Sequence, residues 1–208
     1  IGKLACSSNF FIFRNKKEIT NEHSKKVSHL LRYTNQAILT SYKTINSDNP
    51  YLNCRIKGLE KFSPIRLIID KNLEINLNSF MITSATKYKT IIFHSSKNKK
   101  KINTLLYNKV RLIYLDQNNN GYLNLKDIFK KIYELGIHNI VVECGKSLTN
   151  EIMREKLFNE FYLFISSNKI INKNSISVKN IKDNLKKIFK IKEKINTYLD
   201  NDSLIHYY

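Results

Sequence analysis

Short apolar, β-branched runs alternate along this 208-residue chain with stretches of helical period, and few architectures accept that pattern. Residues 65–69, 90–93 and 110–115 read as central strands, each flanked by polar or charged positions. Over residues 123–135, Leu125, Ile128, Ile132 and Leu135 share one helical face, and Gly136 follows where a left-handed cap is favoured. A strand over 139–143, a helix opening near Ser147 and a strand over 161–166 continue the alternation. This order predicts an α/β fold with a largely parallel sheet and covering helices, whose ligands gather at the C-terminal ends of the strands.

The remaining elements fit around that frame. Residues 3–13 read as one buried strand, followed by a polar stretch over 14–18. Thr20 or Asn21 is the expected cap of a helix running through Val27, Leu30 and Leu31 to about Arg32, and 36–40 return to a short strand. Residues 43–53 read as a long loop, because Asn-Pro and small polar residues form turns. Val178, Ile181, Leu185 and Ile188 mark a last helix, and 192–199 pair with 203–208 about a turn at 200–202. With no internal repeat or flexible linker, residues 1–208 are expected to form a single domain. The chain opens at Ile1 in strand-like sequence without a methionine, which reads as a domain cut from something longer.

The formal charge of +19 is large, but its lysines are scattered among asparagines and isoleucines. Phosphorylated small molecules, nucleic acid and anionic membranes all answer to such a field, so charge names no partner. The lysine run over 97–101 reads as a solvated loop, and the aromatics as core instead of a base-stacking platform. Nucleic acid is therefore not the expected partner. Cys6, Cys54 and Cys144 lie far apart with no CxxC pair, which indicates neither a disulfide framework nor a zinc site and suits a reducing cytoplasm. His23, His29, His94, His138 and His206 have no metal-ligand or nucleophile–base spacing, so no metal is expected. No apolar run reaches membrane-spanning length.

Two segments carry residues suited to chemistry. In IVVECGKSLTNEI, Glu143 closes an apolar strand, Gly145 turns the chain, and a helix opens with backbone N–H groups able to hold an anion. The Ser147 and Thr149 hydroxyls can add donors. The plainer reading is a capped helix and a solvated strand end. In TINSDNPYLNCR, Thr44, Asp48 and Arg55 surround a proline-stiffened bend. Arg55 and Arg32 are arginines in a lysine-dominated chain, and a guanidinium suits two-pronged phosphate binding, against the alternative of a surface salt bridge.

Taken in order, KLACSS, EITNE, LLRYTNQAILTSYKTINSDNPYLNCR, PIRLIID and NIVVECGKSLTNEIMREKLFNEFYLFIS resemble the reductase half of the bifunctional riboflavin deaminase/reductase family, RibD. The resemblance implies a three-layer, dihydrofolate-reductase-like α/β domain with a central, mostly parallel mixed sheet and flanking helices. It also implies reduction of 5-amino-6-(5-phosphoribosylamino)uracil by NADPH, with hydride passing to the sugar C1′, in a homodimer. By the same resemblance Arg32, Leu52, Arg55 and Glu143 stand at substrate positions, and Ala5, Thr44 and Asp48 at cofactor positions. Gly145, Lys146, Ser147, Leu148, Thr149, Asn150 and Glu151 match the turn that holds the dinucleotide pyrophosphate, and Asp48 and Glu143 are the expected catalytic carboxylates. Lys71, next after Asp70, is suited by charge and position to the extra 2′-phosphate of NADPH. The chain departs from the family at Lys16, Glu18 and Cys144, where serine, tryptophan and glycine are usual, and at SSNFF in its early loop. No H-x-E with P-C-x-x-C occurs, so a deaminase would be a fused or separate partner. Two other readings stay open: a reductase of the same fold acting on another pteridine or pyrimidine, and a basic RNA-binding module.

Overall fold

The computed structural model describes residues 1–13, 19–171 and 174–208. The strands are β1 (Gly2–Cys6), β2 (Phe11–Phe13), β3 (Ala37–Ser41), β4 (Ile65–Ile69), β5 (Thr90–His94), β6 (Arg111–Tyr114), β7 (Ile140–Glu143), β8 (Phe161–Ile165), β9 (Ser175–Ser177), β10 (Lys192–Lys194) and β11 (Ser203–Tyr207). The helices are α1 (Glu22–Thr34), α2 (Tyr42–Asp48), α3 (Phe80–Thr83), α4 (Lys99–Tyr107), α5 (Leu125–Glu134), α6 (Lys146–Arg154) and α7 (Lys179–Ile188). They form two compact units, Leu31–Val141 and a discontinuous one made of Ile1–Leu30 and Val142–Tyr208.

In the continuous unit, β3, β4, β5 and β6 follow one another in order and all run parallel. Ile38, Ile68 and Ile92 from neighbouring strands pack with Ile45 of α2, Met81 and Ile82 of α3 and Leu105 of α4 in a dry core. Each such side chain contributes about 1.5–3 kcal/mol on leaving water. Ionisable groups are embedded in this unit, Arg66 among them. The Arg66 guanidinium, on β4, is fully buried and donates to Thr90 Oγ1 (3.0 Å), Ser84 Oγ (2.9 Å) and the carbonyls of Met81 (3.0 Å) and Tyr88 (2.9 Å). Burial pulls its pKa down to about 10, so it stays protonated at neutral pH and clamps residues 81–90 to the strand.

In the discontinuous unit the order is β10, β11, β8, β1, β7, with β7, β1 and β8 parallel and the β10–β11 hairpin antiparallel to β8. Gly2 is needed where β1 passes Phe161, since a Cβ there would land on that ring. Helix α1 begins where Asn21 accepts from Ser24 N at 2.9 Å, as expected. Its opening is also held from far along the chain, because Asp202 Oδ2 accepts from Asn21 N (2.9 Å) and Ser24 Oγ (2.7 Å).

Several expectations need correction. The strand expected over 3–13 is two strands, β1 and β2, because Ser7 Oγ accepts from Phe11 N (2.9 Å) and closes a turn in which Phe10 takes φ 61°. The loop expected over 43–53 begins as helix α2, whose first turn bonds to Ser41 Oγ through Thr44 N (3.5 Å). The solvated loop expected over 97–101 is the opening of α4, capped by Asn98 Oδ1 accepting from Lys101 N at 3.1 Å. β6 is a marginal strand, pairing with β5 only, instead of a central one. Not all aromatics are core: Tyr107 and Tyr198 are 85% and 73% exposed. The polar stretch at 14–18, with Lys16 and Glu18, lies outside the described residues. The three cysteines are free and buried, and no described helix is long and apolar enough to cross a membrane.

Candidate functional site

Within the discontinuous unit, β7 delivers Glu143 beside Lys3 of β1, the two being register partners on parallel strands. Lys3 Nζ lies 3.4 Å from Glu143 Oε2, with the side chains only 14% and 12% exposed. A carboxylate so little solvated needs a compensating charge, and Lys3 supplies it. Sequence reasoning passed over Lys3, although a lone lysine opening an apolar strand was a usable signal. Ala5 lies two residues further along β1, half-buried, opposite Phe164.

Directly after Glu143 the chain reaches Gly145, which caps α6 with φ −72° and ψ 170°. That conformation is open to any residue, so the turn itself does not demand glycine. Among the described residues no side chain caps the first turn of α6, whose backbone N–H groups are flanked by Lys146 and the exposed Ser147, an arrangement that suits an anion. Thr149 does not join them, contrary to expectation. It is buried, its hydroxyl bonded to the Gly145 carbonyl (3.2 Å) and 3.3 Å from Cys144 Sγ. Asn150 accepts from Asn180 Nδ2 of α7 at 3.1 Å, and Glu151 pairs with Arg154. Cys144 faces the interior, where burial pushes its thiol up to about 12.

Within the continuous unit, β3 runs into α2, which sets Thr44 and Asp48 four residues apart and so on one helical face. Ser47 Oγ donates to Asp48 Oδ1 at 2.6 Å. Beyond α2 the chain bends through Asn49 (φ 42°) and Leu52 (φ 46°). The Leu52 side chain is buried in the core with Ile38 and Ile45. Arg32 Nη1 donates to the Asn53 carbonyl at 3.3 Å, and the Arg55 guanidinium lies over the Tyr51 ring at 5.4 Å, so both predicted arginines converge on residues 51–55.

At the end of β4, Asp70 is fully buried, and its two oxygens accept from Glu74 N and Ile75 N, each at 2.8 Å. Desolvation raises its pKa, with those two hydrogen bonds opposing the rise. Lys71 follows with Nζ on the Gly121 carbonyl (2.8 Å) and over the Tyr122 ring (5.7 Å). His94, at the end of β5, is buried, its Nδ1 has no hydrogen-bond partner among the described residues, and burial lowers its pKa.

Among known proteins, a family model described as the RibD C-terminal domain matches residues 13–174. The riboflavin biosynthesis protein RibD of Aquifex aeolicus is 32% identical over 165 residues, which are 79% of this chain and 43% of that protein. The chain thus spans less than half of that longer relative. The 5-amino-6-(5-phosphoribosylamino)uracil reductase of Buchnera aphidicola from Acyrthosiphon pisum is 25% identical over 161 residues, covering 72% of this chain and 74% of that one. Among solved structures, the riboflavin biosynthesis reductase of Saccharomyces cerevisiae superposes with a TM-score of 0.73 at 19% identity, over 99% of this chain and 87% of that one. At that identity the likeness shows the fold, a mostly parallel mixed α/β sheet with flanking helices of dihydrofolate-reductase type.

Proposed function

This chain belongs to the RibD C-terminal domain family, and we propose that residues 1–208 act as a single pyrimidine reductase domain that reduces 5-amino-6-(5-phosphoribosylamino)uracil to its ribitylamino counterpart with NADPH. The observation that carries this reading is the family match over residues 13–174, together with a relative bearing that activity's name of which the chain covers 74%.

The first turn of α6 fits the cofactor's pyrophosphate, because its N–H groups lack a side-chain cap and Lys146 adds positive charge. When bound, NADPH would supply the hydride for C1′ of the sugar. The protein's share is alignment, which converts an encounter of two molecules into an intramolecular transfer. Thr44 and Asp48, on one face of α2, are assigned to the cofactor, with Ala5. Arg32, Arg55 and the backbone of Leu52 are assigned to the ribose phosphate. Glu143, paired with Lys3, is assigned to accept from substrate N–H or O–H groups. Asp48 and Glu143 are the carboxylates on which turnover depends.

NADPH is the form expected at Lys71. A carboxylate ending such a strand commonly accepts from a ribose 2′-hydroxyl, but both oxygens of Asp70 are spent on its own loop. The neighbouring cation suits a 2′-phosphate instead. The enzyme is proposed to work in the cytoplasm as a homodimer, beside a deaminase that is fused or separate.

Fluorescence titration with NADPH, followed by oxidation of NADPH in the presence of the phosphoribosylaminouracil, tests the reading. Binding and turnover are expected, with turnover abolished in Asp48→Ala and Glu143→Ala. A purified protein that neither binds NADPH nor oxidises it with this substrate removes the assignment. Lys71→Ala should weaken NADPH more than NADH, and equal weakening would withdraw that role.

A further inference from the structure

We infer that Tyr51 is a positioning residue, whose ring holds the Arg55 guanidinium ready for the substrate's phosphate; this rests on the phosphate role proposed above for Arg55. The bend that carries both is tied down throughout. Asn49 Oδ1 accepts from Phe80 N (2.8 Å), Asn53 Nδ2 donates to Tyr88 Oη (3.1 Å), and Cys54 N donates to Ser63 Oγ (3.1 Å). Such ties are what keep non-glycine residues Asn49 and Leu52 in the left-handed region.

A row of tilted ring contacts runs alongside these bonds. Tyr51 and Phe80 have centroids 4.1 Å apart, Phe80 and Tyr88 6.3 Å apart, and the Arg66 guanidinium lies 5.1 Å from the Tyr88 ring. Arg66 is fully buried and fixed by its hydrogen bonds, so the row of rings has an anchored base. At the other end Tyr51 is 49% exposed and carries Arg55 at 5.4 Å, inside the range of cation–π attraction. A cation–π contact draws the guanidinium onto the ring, and the planar fork of N–H donors it restrains is the group that grips a phosphate. Arginine otherwise loses rotamer freedom on binding, and a ring that restrains it beforehand removes part of that cost.

The test uses ribose 5-phosphate as the probe, titrated calorimetrically into the wild-type protein and into Tyr51→Leu, Tyr51→Phe and Arg55→Ala. Tyr51→Leu should raise Kd by about two- to tenfold, a part of the loss in Arg55→Ala, while Tyr51→Phe keeps the ring and binds as wild type. In turnover, Tyr51→Leu should raise KM for the phosphoribosylaminouracil by the same factor, with kcat within about twofold. Unchanged binding in Tyr51→Leu, equal weakening in Tyr51→Phe, or no binding of ribose 5-phosphate to the wild type would each overturn the inference. Ring-dependent binding of ribose 5-phosphate by a protein that oxidises no NADPH would sustain it and sink the reductase assignment alone.

Discussion

Lys3 and Glu143, 140 positions apart, place an ammonium 3.4 Å from a carboxylate on adjacent parallel strands. Removing the cation leaves a poorly solvated charge behind, so Lys3→Met should cost about 1–3 kcal/mol of stability, read from the urea midpoint. Adding Glu143→Gln should recover part of the loss, since a neutral pair carries no uncompensated charge. Identical midpoints for wild type and Lys3→Met would show that the contact contributes nothing.

Arg66 should be among the least replaceable residues of its unit. Arg66→Met removes the guanidinium's bonds to the Met81 and Tyr88 carbonyls and to the Ser84 and Thr90 hydroxyls, a loss of about 3–5 kcal/mol in denaturant unfolding. Arg66→Lys should restore little, because one ammonium cannot reproduce a planar fork. Near-wild-type stability in Arg66→Lys would refute this.

His94 should make the fold sensitive to mild acid. Burial lowers its folded pKa below the ordinary value of 6.5, so the unfolded chain takes up the proton first. Its contribution to stability is full above about pH 6.5 and is lost as pH falls through that value toward the folded pKa. Urea midpoints followed downward from pH 7.5 should fall less steeply in His94→Gln than in wild type. Parallel profiles would exclude His94 as the source.

Thiol chemistry offers a fourth check. Burial raises both Cys6 and Cys144 to about 12, so neither is a thiolate near neutrality, and Cys54 is buried as well. Dithionitrobenzoate should label native protein slowly and all three cysteines rapidly in denaturant. Rapid labelling of Cys144 in the native state would contradict its inward placement.

What the sequence disclosed depended on whether its signals were local. The periods of α5 and α7 and the β-branched runs of β4 and β5 were legible because neighbours in sequence share one face or one strand. Helix α2 was hidden, since Asn, Ser and Asp are turn formers, and what counted was the Ser41 cap one residue upstream. Residues 7–10 merged into a strand because side chains, not Gly or Pro, make that turn. Among the residues assigned roles, residue types pointed to Glu143, Arg32 and Arg55, but Lys3 beside Glu143 and Tyr51 beside Arg55 follow only from contacts within each unit. The inward turn of Leu52 and Thr149 is likewise a matter of packing, invisible in a motif.

The clasp of Asp202 on the opening of α1 sets an order of events during synthesis. Leu31–Val141 is continuous, so a ribosome can release it to fold while the rest is still being made. The first 30 residues must wait for strands and a helix cap encoded beyond position 142, the last of them at residue 202. Until then β1 has open edges on both sides, and this early segment is where a nascent chain would most need a chaperone.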